Sequence, residues 1–243
     1  MRLRVIDRSE VELLQGILEE FTEGESYRIV VVKPNICGFY PPSVEVLRVV
    51  LKWASRKGGE VYLGDTPSTI HNVEERIEEL KLREIAREAG TNVHAVNFLR
   101  VTGSVNVEVP KPHALKRYPF PELVLNADLL INLAKLGSHP TTRVTGALKN
   151  LFGLVSSKMK YFRYHLLGID RVIADIAQVI RPRVNVLEVG DRIVVSDDPL
   201  VADVAGVLIY GDDPLKVKHF RLVAEDRNME LEDLVSEVRK ILR

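Results

Sequence analysis

Short apolar runs alternate along the chain with stretches in which apolar residues recur every third or fourth position. The runs Tyr27–Lys33 and Asp128–Ala134 predict strands that are buried on both faces, and Glu60–Gly64 predicts a shorter one. The helical spacing of apolar residues predicts connecting helices, which implies right-handed crossovers. We therefore expect an α/β fold, with a largely parallel sheet and helices on both of its faces. The main predicted helices span 9–21, 43–57, 72–89, 169–180, 198–210 and 231–241.

Two regions predict antiparallel additions to this sheet. In the middle of the chain, Ser104–Val109 is expected to be an added strand or one arm of a hairpin. The proline-dense segment Pro110–Pro121 that follows cannot be a helix interior, and is either a lid or a surface loop. Near the C-terminus, Val184–Val189 and Ile193–Val195 predict a hairpin. No repeat or linker marks a boundary, so we expect a single α/β domain over residues 1–243.

Composition excludes several partners. Lys plus Arg and Asp plus Glu are balanced at 34 each, so no overall field favours nucleic acid or an anionic membrane. The first residues carry charge before any signal-peptide apolar region, and no apolar run is long enough to span a membrane. We expect a cytoplasmic protein with no nucleic-acid or membrane partner. Many Glu, Lys and Arg with few Met is also typical of thermophiles.

Cys37 is the single cysteine of the chain. One cysteine cannot form an intrachain disulfide, and it cannot hold an iron–sulfur cluster, which takes about four cysteine ligands. We therefore expect no internal iron–sulfur cluster. Cys37 is either a small buried hydrophobe, the interpretation we favour, or a reactive thiol.

Polar residues follow three of the predicted strands. Lys33 and Asn35 leave the first strand, and Asp65 and Thr66 leave the second. The third strand ends at the segment 135–142. Because ligands bind at the carboxyl ends of parallel strands, we expect these residues to line one crevice. The alternative for Lys33 and Asp65 is an ordinary ion pair at the sheet edge.

The segment after the third strand concentrates groups that suit an anion. A helix is expected to begin near Thr141 or Thr142, which would offer unpaired backbone N–H donors. Fixed positive charge would come from Arg143 and Lys149, and such a set suits a carboxylate or phosphate. The segment lacks the P-loop pattern and the chain lacks a Rossmann fingerprint, so ATP and NAD are unsupported. The predicted ligand contacts in this segment are Thr141, Thr142, Arg143, Thr145 and Asn150, beside Lys149.

Two histidines accompany this segment. His139 lies at a strand exit, as a general acid or base or as a structural histidine that bonds a loop carbonyl. His165 follows the basic and aromatic stretch Lys158–Tyr164, which we interpret as a flap over an anionic ligand rather than a nucleic-acid contact. The remaining histidines are expected at surface or capping positions, with weak exceptions for two that lie in loops facing the crevice: His71, His94, His113 and His219, of which His71 and His113 are the exceptions.

Several blocks resemble the family called domain of unknown function 362. They are Leu129–His139, the Lys-Asn-Leu-Phe-Gly block within Thr145–Gly153, and Ile173–Ile176. Many members of that family are joined to, or encoded with, ferredoxin-type iron–sulfur modules, so the resemblance implies redox metabolism and a ferredoxin-like partner. This chain has no cysteine-rich module of its own.

A more distant similarity concerns spacing. His139, Lys149 and His165 are separated by 10 and 16 residues, as are the active-site His, Lys and His of the nickel-pincer lactate racemases. The resemblance implies that His139 transfers a proton and that Lys149 is an anchor or charge partner. It implies that His165 is a second acid or base, or a ligand to a divalent metal. We use it for the position of the pocket, not for racemase activity.

Two classes of function remain open from the sequence. The first is an enzyme that binds a small anionic metabolite through Lys149 and Arg143, moves a proton with His139, and is metal-assisted or redox-linked. The second is a non-catalytic cofactor-binding or redox-assembly subunit that works with a ferredoxin-like partner. The sequence leaves the cofactor unknown and does not distinguish a monomer from an oligomer.

Overall fold

A computed structural model describes residues 1–243. Its strands are β1 (Leu3–Asp7), β2 (Tyr27–Pro34), β3 (Gly58–Asp65), β4 (Val93–Asn97), β5 (Ser104–Glu108), β6 (Arg117–Pro121), β7 (Leu129–Lys135), β8 (Gly137–His139), β9 (Arg143–Thr145), β10 (Val184–Val189) and β11 (Arg192–Ser196). Seven of them form the main sheet, in the order β1-β11-β10-β7-β2-β3-β4, and two small sheets pair β5 with β6 and β8 with β9.

The sheet confirms the predicted topology. Strands β4, β3, β2, β7 and β10 are parallel to one another. Strand β11 runs antiparallel to both β10 and β1, which confirms the C-terminal addition. The addition in the middle of the chain is a separate hairpin of β5 and β6, off the main sheet.

Helices cover both faces of this sheet, as expected. Trp53 and Phe21 belong to the core on one face, which the helices within residues 14–89 cover. Phe220 and Ile173 belong to the core on the other face, which the later helices cover. The helices are α1 (Leu14–Thr22), α2 (Val44–Lys57), α3 (Val73–Glu79), α4 (Leu82–Ala89), α5 (Phe98–Val101), α6 (Glu122–Leu125), α7 (Ala147–Phe152), α8 (Lys160–His165), α9 (Ile169–Val179), α10 (Pro199–Ile209), α11 (Lys218–Asp226) and α12 (Leu231–Ile241), with 3-10 helices at Arg8–Leu13 and Pro214–Lys216.

Local chemistry explains where some helices begin and end. The start of α10 is confirmed, because Asp198 Oδ1 accepts from the N–H of Leu200 at 2.8 Å and Pro199 occupies the first turn. The helix predicted over 72–89 is instead two helices, since Lys81 takes a left-handed φ of 51° between them. The first predicted helix begins as a 3-10 turn, and Ser9 does not cap it.

The proline-dense segment after β5 is fixed to α9. Asp175 Oδ1 accepts from the N–H of His113 at 2.6 Å, and its Oδ2 accepts from those of Ala114 and Leu115 at 3.0 Å. The hydroxyl of Tyr118 donates to the same carboxylate at 2.7 Å. These bonds to a buried carboxylate hold the segment against the body of the protein, so it does not have the form of a lid. Among the helices, none combines the length and the apolar content that a bilayer crossing needs.

Candidate functional site

A pocket of about 160 Å³ opens at the carboxyl edge of the sheet. The loops after β2 and β3 form one side, and the segment from β8 to α8 forms the other. This is where the parallel topology predicts a ligand site. The predicted site residues that line the pocket are Asn35, Asp65, His139, Thr145, Lys149, Asn150 and His165.

The helix expected at Thr141 or Thr142 is wrong. The chain forms a tight hairpin there, in which β8 pairs with β9 and Arg143 adopts a left-handed φ of 66°. Helix α7 begins only after Gly146. Thr145 therefore belongs to a strand and does not share a helix face with Lys149, although both side chains line the pocket.

The N-terminus of α7 is occupied by a carboxylate of the protein. Asp203 on α10 accepts from the N–H groups of Ala147 at 2.6 Å and Leu148 at 2.9 Å. Gly146 permits this approach, because a Cβ there would lie 2.2 Å from Asp203 Oδ1. The expectation of free N–H donors at a helix start near Thr142 is therefore wrong: the N–H groups of Thr141 and Thr142 point to His139, and those at the start of α7 bond Asp203. Burial raises the pKa of Asp203 to about 7.

Lys33 lies behind the pocket wall and is fully partnered. Its Nζ donates to Asp65 Oδ2 at 3.0 Å, to Asn150 Oδ1 at 2.5 Å and to the carbonyl of Pro34 at 3.2 Å. Lys33 and Asp65 are each 1% exposed. The alternative of an ion pair at the sheet edge is therefore the observed arrangement, and Lys33 has no N–H left for a ligand.

Asn150 joins this pair to the centre of the sheet. Its Nδ2 donates to Asn132 Oδ1 at 2.8 Å and to the carbonyl of Lys33 at 3.1 Å. Asn132 in turn donates to Asn185 Oδ1 at 2.9 Å. This buried line of amides ties α7 to β2, β7 and β10, so the side chain of Asn150 positions the helix rather than a ligand.

Lys149 differs from Lys33 in having no partner. Its side chain lines the pocket, and its Nζ makes no hydrogen bond or ion pair within the chain. Burial, followed by the charge of Lys33, lowers the pKa of Lys149 to about 8. An ammonium group in such a place favours a bound anion.

Lys160 is a pocket residue that the sequence did not single out. It is buried, and its Nζ donates to Thr66 Oγ1 at 2.6 Å and to the carbonyl of Gly153. Burial lowers its pKa to about 8. The basic and aromatic stretch on α8 was the available signal, but it did not show which lysine points inward. Thr66 is buried and serves Lys160, so it does not line the pocket.

His139 is held in one orientation by the β8–β9 turn. The backbone N–H groups of Thr141 and Thr142 both point to its Nδ1 at 3.3 Å, and the Thr142 hydroxyl lies 3.0 Å away. Backbone hydrogens cannot rotate away, so Nδ1 is the acceptor and Nε2 carries the proton. Burial, and then the charge of Lys149, lowers the pKa of His139 to about 4, so the ring is neutral at pH 7.

His165 lies among aromatic rings and has no charged partner in the chain. Its centroid is 4.3 Å from that of Tyr161, 6.1 Å from that of Phe152 and 6.4 Å from that of His139. Burial, and then the charge of Lys149, lowers its pKa. The pocket therefore holds two neutral imidazoles and one unpartnered lysine.

Three other predicted contacts lie outside the pocket. Arg143 points away and pairs with Asp212, with Nε 2.9 Å from Oδ2. Thr141 is exposed, and Thr142 is buried where it supports His139. The structure therefore gives these two threonines a positioning role at His139, and it leaves Arg143 a surface ion pair.

The remaining histidines and the cysteine also differ in their surroundings. His219 is buried and its Nδ1 lies 2.8 Å from Asp170 Oδ1, so the expectation of a surface or capping position is wrong for it. His94 is exposed beside Glu60, and His113 bonds Asp226. Cys37 lines the pocket, and burial raises the pKa of its thiol to about 12, which favours the unreactive interpretation.

Comparison with known proteins identifies similar chains. A thylakoid-associated protein of Synechocystis sp. is 25% identical over 181 residues, which cover 65% of this chain and 50% of that protein. The lactate racemase apoprotein of Thermoanaerobacterium thermosaccharolyticum superposes with a TM-score of 0.51 at 12% identity, over 79% of this chain and 50% of that one. The chain thus spans about half the length of each, and the likeness to the racemase shows a shared fold.

The model of one family matches a continuous stretch of the chain. The match covers residues 30–217, from β2 to the end of the 3-10 helix before α11. It includes every pocket residue described above, together with Asp203 and the line of buried asparagines. The chain belongs to the family described as domain of unknown function, DUF362.

Proposed function

We propose that the pocket binds a small anionic metabolite, a carboxylate or a phosphate, and that its histidines move a proton on that ligand. The observation that carries the proposal is the ammonium group of Lys149, which lies in the pocket with no partner in the chain. A charged group in a pocket that excludes much of the water is stabilised by an opposite charge.

The other polar groups of the pocket fit the same ligand. Asp65 is the one carboxylate among the lining residues, and its oxygens already accept from Lys33 and from the N–H of Thr66. The hydroxyl of Thr145 lines the pocket without a partner in the chain. Lys149 and Thr145 therefore keep open donors, from which a carboxylate or phosphate oxygen would accept.

The two imidazoles suit different steps of a proton transfer. His139 presents Nε2–H, because its Nδ1 accepts from the backbone, so it would donate to a ligand oxygen. His165 is neutral and makes no hydrogen bond within the chain, so it is free to accept a proton. Proton removal beside a carboxylate, with charge stabilised by Lys149 and His139, is the reaction class that these roles support.

Anion binding is tested by calorimetric titration with sulfate, which does not itself titrate near neutral pH. We expect saturable binding to the wild type, a large loss in Lys149→Met, and no change in Lys240→Met, a matched change of an exposed lysine on α12. Equal binding by all three proteins would refute the assignment to this pocket.

Proton transfer is tested by incubation in D2O with a panel of small hydroxy acids and phosphorylated acids. Loss of a ligand C–H signal in proton NMR would report exchange, and we expect it to disappear in His165→Ala. Exchange that persists in this variant would remove His165 from the reaction. Anion binding without exchange in any compound of the panel would instead favour a binding protein.

A divalent metal at His165 stays a prediction. Nowhere do three or more His, Cys, Asp or Glu side chains converge, so the chain does not provide a complete metal site here. The two pocket imidazoles would need further ligands from a bound molecule. Metal analysis of untagged protein, purified without oxygen, tests this: stoichiometric metal that is lost in His165→Ala would support it.

A second candidate function is a non-catalytic subunit that uses the pocket together with a protein partner such as a ferredoxin. It is supported by exposed apolar side chains at and beside the pocket mouth: Phe39, Ile70, Met159, Tyr161, Phe162 and Leu166. Gel filtration with a ferredoxin should then show a complex that Phe162→Ser together with Leu166→Ser abolishes. Unchanged elution of both proteins would count against this candidate.

The place of the protein in the cell is also a proposal. We propose that it is cytoplasmic, and the thylakoid association of the relative from Synechocystis supplies the alternative, attachment to a membrane surface. Cell fractionation distinguishes them, because a cytoplasmic protein stays in the supernatant after the membranes are sedimented at low salt.

A further inference from the structure

We infer that the ligand of this pocket carries two negative charges, which Lys149 and Lys160 hold together. The inference deepens the proposed function and rests on it. It adds Lys160 to the binding site and restricts the ligand to a dianion, such as a dicarboxylate or a phosphate monoester.

The charges at the pocket do not balance. Lys33 and Asp65 form a buried pair and cancel each other. Lys149 and Lys160 remain, and no further carboxylate lines the pocket. The two pocket histidines add no positive charge at neutral pH, because burial lowers the pKa of both. The pocket lining and the wall behind it thus hold three lysines against one carboxylate, which leaves two positive charges in excess.

Lys160 also has a donor to offer. An ammonium group has three N–H donors, and Thr66 Oγ1 and the Gly153 carbonyl take two of those on Lys160. The two bonds fix its Nζ in the pocket wall, because Thr66 is buried and Gly153 lies in the turn that follows α7. Lys160 therefore keeps one N–H, and Lys149 keeps all three, without an acceptor in the chain.

Desolvation makes the second charge matter. A monoanion would pair with one lysine and leave the other without a counterion in a place where burial disfavours charge. A dianion compensates both. We therefore expect the pocket to bind a dianion more tightly than a monoanion. The ratio of the two affinities should be larger than at a pair of exposed lysines, where water screens each charge.

The decisive experiment compares succinate with butyrate, which has the same number of carbon atoms and one charge fewer. Titrations at pH 7 and constant ionic strength should show succinate binding roughly tenfold or more tightly. Equal affinities would overturn this inference and leave the proposed anion site intact. Binding of neither compound, nor of sulfate, would overturn both.

Variants of the two lysines locate the preference. We expect Lys160→Met to bind succinate and butyrate equally, and Lys160→Arg, which keeps the charge, to retain the preference. Lys149→Met should weaken both ligands. A Lys160→Met protein that folds and still prefers succinate would contradict the role of Lys160. Should that variant fail to fold, the wild-type comparison still decides. Methyl phosphate as a third ligand distinguishes the two chemical classes of dianion.

Discussion

Lys33 and Lys149 lie at the same edge of the sheet and differ in what surrounds them. Lys33 Nζ has three acceptors in the chain, including a carboxylate at 3.0 Å. Lys149 Nζ has none, and it lines the pocket. Lys33 stabilises the fold through its buried ion pair. Lys149 lowers the free energy of unfolding, because its charge is buried without a partner, and it is free to bind a ligand.

The histidines repeat the same contrast. His219 is buried outside the pocket, and its Nδ1 lies 2.8 Å from a carboxylate oxygen of Asp170. The ring of His139 is satisfied only at Nδ1, and that of His165 makes no hydrogen bond in the chain. Residue type is the same in each comparison. A ring or ammonium nitrogen that lines the pocket and has no partner within the chain distinguishes a candidate functional group from a structural one.

The largest effect is expected from Lys33→Met. It leaves the Asp65 carboxylate buried without its cation, and removing one partner of a buried ion pair costs about 3–5 kcal/mol. Denaturant unfolding would measure the loss. Lys149→Met is the matched control, and we expect it to be as stable as the wild type or more so. Similar losses in the two variants would erase the contrast.

His139→Asn should affect chemistry rather than stability. The Asn Oδ1 takes the place of Nδ1 as an acceptor for Thr141 and Thr142, while the Nε2–H is lost. In a substrate that exchanges, we expect the rate to fall by roughly a hundredfold or more. The ¹⁵N chemical shifts of the wild-type ring give an independent check, since a protonated Nδ1 at pH 7 would contradict the assigned role.

Lys149→Met should weaken binding of sulfate or succinate by roughly tenfold to a hundredfold, as expected for the loss of a charged hydrogen bond. The thermal transition should stay in place or move to a higher temperature, because the variant removes a buried charge. Loss of affinity together with a large loss of stability would instead mean that Lys149 supports the fold.

The pH dependence of the free energy of unfolding gives a smaller effect that also distinguishes Lys149 from Lys33. The pKa of Lys149 is about 8 in the folded protein and the ordinary value is 10.5. Between these values the unfolded chain binds more protons, so the free energy of unfolding rises with pH; the penalty is fully present below pH 8. Lys149→Met should make this rise shallower. An identical pH profile in the variant would show that Lys149 is not perturbed.

Arg143→Ala should change least. Its partner Asp212 lies at the surface, and exposed ion pairs contribute little to stability. Because Arg143 lies outside the pocket, sulfate affinity should stay the same as in the wild type. A marked loss of affinity would restore the contact that the sequence suggested.

The sequence predicted the fold well because the apolar runs are long and unambiguous. Asp128–Ala134 and Tyr27–Lys33 have one solution, a strand buried on both faces, and their polar exits then meet at one edge. The sequence also brought His139, Lys149 and His165 together, through the strand exit and the spacing shared with the lactate racemases, and all three line the pocket. It could not separate Lys33 from Lys149, because partner counts depend on residues far apart, such as Asp65 and Asn150.

The errors have a common physical origin. Strand β9 (Arg143–Thr145) has only three residues, which is too short for a strand pattern. The sequence therefore predicts the first turn of a helix where the chain forms a hairpin. The cap of α7 comes from Asp203, 56 residues further along, and no local signal reveals it. Lys160 stands near Lys158 and Arg163 in the sequence, so its residue type alone does not single it out. Which of these side chains is buried depends on the orientation of α8 against the rest of the protein.

The central claim is that Lys149 is an unpartnered cation that binds an anion. Sulfate titrated at pH 8, in buffers that differ in ionisation enthalpy, tests it most directly. An anion raises the pKa of Lys149 from about 8, so binding should take up protons in the wild type and less in Lys149→Met. Sulfate binding with the same proton uptake in both proteins would contradict the account.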